Sequence, residues 1–516
     1  MSSFKNSFDD KGNTNNVNPD IISNSTCANS QLRNASVTDC LPLSPSSSMS
    51  IPGMDDEEFR RRGKEMIDYI ADYLLNIGER RVTSVVEPGY LKQLLPQDAP
   101  QTGESWDDII KDVERVILPG ITHWQHSRFH AYFPAGNSYP SILGEILSSG
   151  LGINGFSWAA SPACAELETI VLDWLGRMMG LPIGLLPFNS NSDNNDSKAM
   201  PNTSYNSSED REQTGGGVLL GSASECVLMA ILAARTKKIE SQRMINPLIK
   251  DAEILSNLVC YTSKLAHSCV EKAGLIAMIK VRQLAIDENF SLRGKTLDTC
   301  IQADKDNGLI PFFVSYYCFY PQCFNRILFV QVCGTLGTTS CASYDNFEEI
   351  GEICQREKIW FHVDGAYAGS ALICHEFSYL KKGFEHWSIA LSRRFRALKL
   401  WFTIRSYGVE GLRNYVLQHC RLAKLFAELL HKDVRFDTVG KVVFGLVCFR
   451  LKGKNELSEK LLLSLNHSGE MHVVPAMVND LYTIRFAVCA KDAIENDMHT
   501  AFHIIQAHAN TILKND

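Results

Sequence analysis

The sequence predicts an α/β protein built on a mostly parallel sheet, followed by a second, smaller α/β domain. Three observations predict it. Short apolar runs at Leu258 to Tyr261 and Ile359 to Val363 read as buried strands, interleaved with segments of helical period. A glycine-rich loop, Gly215-Gly-Gly-Val-Leu-Leu-Gly221-Ser-Ala-Ser224-Glu225, runs directly into a helix over Cys226 to Arg235. The run Ile359-Trp-Phe-His-Val-Asp364-Gly-Ala-Tyr-Ala-Gly369 ends a strand on an acid, the place where open α/β sheets bind ligands.

Taken in order, residues 1–53 are rich in Ser, Asn and Asp, lack a hydrophobic period and read as a disordered tail. From Asp55 to Ile77 the spacing of Phe59, Met66, Ile67, Ile70 and Leu74 predicts an amphipathic helix, and Trp106 to Ile117 a second. The stretch His123 to Pro140 is aromatic and turn-rich, with a helical run through Leu143 to Leu147 behind it. Residues 186–214 form an Asn/Ser/Asp-rich inserted loop. Beyond Leu398, helices alternate with strands such as Val442 to Phe449 and Tyr482 to Val488.

Composition narrows the function classes. Hydrophobic residues at 45% and charged residues at 21% are those of a soluble globular protein. A net charge of −7 gives no reason to expect nucleic acid or an anionic membrane as partner. The basic run Arg393-Arg394-Phe-Arg396 reads as solvated or phosphate-facing. Sixteen cysteines without CxxC spacing, and no signal-peptide pattern, predict reduced thiols in a cytoplasmic protein. The longest apolar stretch, Tyr316 to Val332, is interrupted by Gln322, Asn325 and Arg326, so no membrane span is predicted.

Three features carry candidate chemistry. Asp364 can pair with the protonated pyridine nitrogen of pyridoxal 5'-phosphate and keep that ring an electron sink; it can equally cap the turn that follows its strand. Glycines and Ser224 at a helix start can hold an anion, as ordinary helix caps also can. His123, His126 and His130 have metal-ligand spacings of three and four, but Pro134 and Gly136 break the helix such a site needs, so no metal is predicted.

Longer segments add specificity. They are His123-Trp-Gln-His-Ser-Arg-Phe-His-Ala-Tyr-Phe-Pro-Ala-Gly-Asn137, Gly155-Phe-Ser-Trp-Ala-Ala-Ser-Pro-Ala-Cys164, Ala266-His-Ser-Cys-Val-Glu-Lys272, Thr335-Leu-Gly-Thr-Thr339 and Leu391-Ser-Arg-Arg-Phe-Arg-Ala-Leu-Lys-Leu-Trp401. With the Asp364 run they resemble the group II pyridoxal-phosphate-dependent amino-acid decarboxylases, from about Met54 to the C-terminus. Among the animal branches the wording looks closest to invertebrate tyrosine decarboxylase, with Ser392 where the aromatic (dopa) enzymes usually carry Gly. The resemblance implies the type I (aspartate aminotransferase-like) fold and a homodimer. It implies an N-terminal helical dimerisation segment over 54–138, a large cofactor domain over 139–398 and a small domain over 399–516. It also implies that Ala223 and Ser224 contact the phosphate and that His267 stacks over the pyridine ring. Asp364 would pair with the ring nitrogen, and Thr339 and Ala366 would line the pocket. Tyr132, Pro134, Ala135, Phe156 and Ser392 would shape the substrate side, partly across the dimer. The implied reaction is loss of CO2 from an aromatic amino acid, tyrosine to tyramine foremost. His267 points away from the aldehyde-synthase branch of insects.

Two departures stand against this resemblance. In the family a segment of several tens of residues follows Lys382-Gly-Phe-Glu385 and carries the Schiff-base lysine and a loop tyrosine. Here Glu385 runs directly into His386-Trp387, and neither residue has a counterpart. Lys399 stands in a context that matches a different family lysine, and Lys381 and Lys382 belong to a surface helix. Upstream, removing Val314 to Gln331 restores the family pattern across Phe313-Val332. That piece is eighteen residues, 54 nucleotides in frame, and its Val-Ser start and Gln end are codable as splice donor and acceptor. A retained intron and a skipped exon account for both departures; an evolved Cys- and aromatic-rich insertion is the competing account of the first. The expected consequences are an interrupted core strand, an incomplete sheet, an inactive chain and cofactor held only without a covalent bond.

Overall fold

A computed structural model describes residues 54–133, 136–155, 157–188, 215–306, 328–382 and 396–514. The chain divides into two units, Met1–Arg60 and Arg61–Asp516. The Asp55 carboxylate accepts the Glu58 amide at 2.7 Å and starts helix α1, Asp56–Leu75, which begins in the first unit and lies mostly in the second; its early acids suit a helix N-terminus. No residue of α1 is buried; Met66, Ile70 and Leu74 are half-covered, whereas Phe59 and Ile67 are exposed.

In the second unit the predicted second helix is α2, Trp106–Asp112, capped by Ser105 and continued by a π-helical turn over Val113–Ile117. The stretch after His123 makes no helix until α3, Tyr139–Leu151. Helix α4 is Pro162–Met179, α5 is Ala223–Ile245 and α6 is Asp251–Ser256. A parallel α/β region follows: β1 Leu258–Ser263, α7 Cys269–Ala277, β2 Lys280–Leu284, α8 Gly294–Asp306, β3 Leu328–Thr335, α9 Phe347–Glu357 and β4 Trp360–Asp364. The sheet order is β2-β1-β3-β4, all pairs parallel.

Alternation along each strand divides the core. Leu258, Cys260 and Cys333 pack with α5 and α7 through Val227, Ile231, Val270 and Ala273. Val259, Tyr261, Val332 and Phe361 pack on the other face, with Leu297 and Ile301 of α8 and Ile350 of α9. Burial on both faces is why β1 and β4 are apolar runs and not alternating ones, whereas the outer strand β2 is largely exposed.

The long helix α10, Ala397–His431, kinks at Gly408 and leads to an antiparallel sheet ordered β5-β6-β8-β7. Its strands are β5 Phe436–Thr438, β6 Leu446–Leu451, β7 Val474–Val478 and β8 Leu481–Ala487. Helices α11, Asn455–Ser468, and α12, Glu495–Lys514, cover it around Phe426, Phe449, Leu461, Phe486 and Ile505. Among the described residues no helix is long and apolar enough to cross a membrane. The twelve described cysteines are free thiols.

The anomalous piece 314–331 has an unexpected place. Residues 307–327 lie outside the described residues, but Leu328 to Gln331 supply the first half of β3, so the strand is continuous where an interruption is expected. The substitution is chemically poor. Gln331 is completely buried between Cys260 of β1 and Trp360 of β4, and neither end of its amide has a partner among the described residues. Gln331→Leu is therefore expected to stabilise the protein by about 1–3 kcal/mol, read as a higher urea midpoint. An unchanged midpoint would mean that the amide is satisfied.

The sheet's other border also bears on the missing segment. Strand β4 has a strand neighbour on one side only among the described residues. The extended stretch through Leu219 joins no sheet: its amide donates to Glu168 Oε1 at 2.7 Å and its carbonyl accepts from Arg396 Nη1 at 3.0 Å. Side chains there take the place of a ladder.

Candidate active site

The carboxyl edge of the parallel sheet gathers the polar groups. Asp364, the last residue of β4, is 8% exposed and sits in register with Thr335, the last residue of β3. Its Oδ1 accepts the Ala366 amide at 3.0 Å. One oxygen thus shapes the turn, as the capping reading has it, while Oδ2 has no hydrogen bond among the described residues. Two buried hydroxyls at the same edge, Thr335 Oγ1 and Ser263 Oγ at the end of β1, also lack partners among the described residues. Buried polar atoms are normally satisfied, so unsatisfied ones at strand ends mark a place for a polar ligand.

Two helix starts face this edge. Ser222 caps α5 by accepting the Glu225 amide, and the Glu225 carboxylate returns to the Gly221 amide at 2.6 Å. Ala223 and Ser224 follow in the exposed first turn, where free amides and the helix dipole favour an anion. At the start of α7, His267 is exposed and its Nδ1 accepts the Cys269 amide at 3.2 Å, so the neutral ring carries its proton on Nε2. The Ser224 hydroxyl bonds the Cys269 thiol. Burial first, and the Asp364 charge after it, push the Cys269 thiol up; on Cys226 burial leads, then Glu225 and Asp364. The three elements thus converge on one carboxylate.

Thr339 lies exposed in the turn after β3, which is held by Thr338 Oγ1 and Ser343 Oγ at 2.8 Å. Gly337 has φ +89°, and a Cβ there would stand 2.8 Å from the Ala368 Cβ. Only glycine lets this turn pass the loop that carries Ala366.

The aromatic stretch approaches along the antiparallel sheet. Phe129 bridges His472, and the His130 amide donates to the His472 carbonyl at 2.8 Å, so this stretch docks on the antiparallel sheet. Tyr132 is held at φ 55° and stacks on Trp124 at 5.3 Å. Phe133 stacks on Tyr367, three residues beyond Asp364, at 3.7 Å. The three histidines of metal-like spacing have separate partners: His123 meets the Tyr73 hydroxyl, His126 the Arg128 amide, and His130 the Ala487 carbonyl.

Sequence reasoning overlooked Arg485. It is 4% exposed on β8, its Nε and Nη2 have no partner among the described residues, and its guanidinium lies 4.5 Å over the Phe133 ring. Burial lowers its basicity, and the nearby Cys448 and Tyr367 oppose that. An arginine inside the apolar run Ile484 to Val488 was the available signal.

Pro134, Ala135, Phe156 and Ser392 lie outside the described residues. Lys399 pairs with Glu145 and Lys382 with Glu348, both exposed. Lys381 Nζ covers Gly180 at the end of α4. A cleft of about 340 Å³ lined by Phe290, Tyr344, Tyr379 and Lys441 contains none of the predicted residues. Convergence of polar groups, not volume, locates the site.

A half-free buried carboxylate, unpaired hydroxyls and an exposed helix start suit a ligand with a cationic ring nitrogen and a phosphate, as pyridoxal phosphate has. Residues 88–318, 322–385 and 376–452 match the pyridoxal-dependent decarboxylase conserved domain. The chain is 43% identical to mouse (Mus musculus) aromatic-L-amino-acid decarboxylase over 89% of its own length and 99% of that protein. It is 42% identical to a Drosophila melanogaster histidine decarboxylase, over 89% of this chain and 56% of that one. The crystal structure of Catharanthus roseus tryptophan decarboxylase with L-tryptophan superposes with a TM-score of 0.76 at 32% identity, covering 89% and 99%. With a family match over most of its length and a type I fold around Asp364, the chain belongs to the pyridoxal-dependent decarboxylases, carboxy-lyases of amino acids.

Proposed function

We propose that this locus encodes a cytoplasmic, homodimeric decarboxylase of aromatic L-amino acids that makes tyramine from tyrosine, and that the chain as written is inactive. The observation that carries the reading is Asp364, buried at the sheet edge with one oxygen free. Pyridoxal phosphate, when bound, supplies the electron sink for the pair released as CO2 leaves. Asp364 would hold a proton on the ring nitrogen, Ala223 and Ser224 the phosphate, and His267 one face of the ring, beside Thr339 and Ala366. Arg485 would receive the substrate carboxylate and turn it toward the cofactor, with Tyr132, Phe133, Pro134, Ala135, Phe156 and Ser392 around the aromatic ring. The apolar face of α3, where Leu143, Ile146, Leu147 and Leu151 are 43–50% exposed, supports a dimer.

Inactivity rests on the missing segment. Glu385 runs directly into His386-Trp387, with no lysine-bearing segment between them. The matched pieces of the family domain leave out residues 319–321, inside the anomalous piece, and the second and third overlap at 376–385. A second reading, a non-catalytic subunit or aberrant splice product, draws on the same observation. Its mark would be a lysine-free chain that co-purifies with an intact one.

The test restores a lysine-bearing segment after Glu385 and removes 314–331. Tyramine and CO2 from L-tyrosine are expected, with at least about a 10³-fold loss in Asp364→Ala. Release of histamine or dopamine in preference to tyramine would reject tyrosine as the substrate.

A further inference from the structure

We infer that His130 is a positioning residue, tying the aromatic wall at Tyr132 and Phe133 to the strand that carries Arg485 and making that anion pocket acid-sensitive. The inference rests on the proposed role of Arg485 as receiver of the substrate carboxylate. Its geometry does not.

His130 is 1% exposed and joins β8 three times. Its carbonyl accepts the Ala487 amide at 3.0 Å, its Nδ1 meets the Ala487 carbonyl at 3.0 Å, and its ring stacks on Phe486 at 3.9 Å. Phe486 and Ala487 directly follow Arg485, and Phe133, three residues after His130, lies under the guanidinium. The chain from His130 to Phe133 and the strand from Arg485 to Ala487 therefore form one closed arrangement, pinned by the imidazole at one end and by the cation–π contact at the other.

The pin is uncharged by construction. Nδ1 must carry the proton given to Ala487, and Nε2 is buried without a partner among the described residues. A second proton on Nε2 would put an unpaired charge in the core. The titratable and charged groups that act on His130 are His126 and Arg128 of its own stretch, both of which oppose that charge. From β8 it meets the Phe486 ring and the Ala487 carbonyl, and the carbonyl alone favours charge. Burial, chiefly, lowers His130 to about 3 and His126 to about 4. A ring whose docked form resists protonation contributes fully above its free value of about 6.5, and its contribution falls as pH drops below that, by up to tenfold per proton per pH unit.

The probe is 2-phenylethanesulfonate, an aromatic anion that does not titrate between pH 8 and 4. Its affinity for the full chain would be measured across that range, with Trp124 emission, which reports the stack on Tyr132 and Phe129. The variant His130→Asn keeps a donor for Ala487 but cannot titrate. Between pH 6 and 4.5 the slope of log affinity against pH is expected to fall by about one proton in this variant, and the Trp124 transition to move to lower pH. The exposed His503→Asn should change neither. Equal slopes and equal Trp124 transitions in wild type and His130→Asn would overturn the inference. Absence of sulfonate binding at pH 7.5, or binding indifferent to Arg485→Met, would instead reject the role of Arg485; the Trp124 transition then still decides whether His130 pins the wall.

Discussion

Arg485→Met is expected to make the protein more stable and, at the same time, to weaken binding of aromatic carboxylates by about 30-fold to several thousand-fold, the equivalent of 2–5 kcal/mol. Both effects have one origin. The guanidinium is buried at 4% exposure with Nε and Nη2 unpaired among the described residues, and the face of Phe133, Tyr367 and nearby thiols offset its desolvation in part. A buried charge without a counter-ion is costly, and a hydrophobic residue of similar length in its place is worth about 1–4 kcal/mol. Methionine follows the same aliphatic path and keeps contact with Phe133 and Tyr367. Thermal unfolding should therefore shift upward while titration with phenylpropionate weakens. A fall in stability without loss of anion affinity would show that Arg485 is a structural cation with partners of its own, and would remove the carboxylate from the proposed pocket. A residue that costs stability while nothing is bound and has its counter-ion supplied by substrate is the trade expected of a binding group.

The parts of the fold that could be read from residues were those where local pattern and burial agree. The runs at Leu258 and Ile359 are strands β1 and β4 because both faces are buried, and the glycine loop does enter a helix at Ala223. Asp364 was legible as a strand-ending acid, but its two uses, turn cap and ligand partner, could not be separated until one oxygen was seen on the Ala366 amide and the other without a partner among the described residues. Arg485 was not, because its strand lies about 120 residues away in sequence and is linked to the Asp364 loop through Phe133, which stacks on Tyr367 and lies under the guanidinium. The polar orphans Ser263 and Thr335 were illegible for a related reason: whether a hydroxyl finds a partner depends on neighbours from other elements. The insertion was legible as foreign in wording but not in its effect. A strand needs only extended residues that satisfy the ladder, so Leu328 to Gln331 complete β3 at the cost of one misplaced amide.

The chain as written is expected to bind pyridoxal phosphate weakly and reversibly, to lose it on dialysis, and to release no tyramine from L-tyrosine. The groups that remain around Asp364 can grip a ring nitrogen and a phosphate, which gives affinity. Without a lysine amine to bond the aldehyde, nothing holds the cofactor through substrate exchange, and the loss is at least about 10³-fold in rate. Borohydride treatment followed by peptide mapping would check this: no lysine should carry a reduced pyridoxyl group. Stoichiometric labelling of Lys399, Lys381 or Lys382 would contradict the expectation, and it would require movement, since two are drawn into exposed ion pairs and the third over the end of α4. The native transcript across codons 305–400 separates the two origins of such a chain. A message lacking codons 314–331 and carrying a lysine segment after Glu385 makes Gln331 an artefact of a retained intron, and the strand would then run from Phe313 to Val332 with an aromatic ring in place of the buried amide. A message identical to the chain makes a lysine-free protein the product. Its function would then lie in association with an intact subunit, through the N-terminal helices of the 54–138 segment and the apolar face of α3.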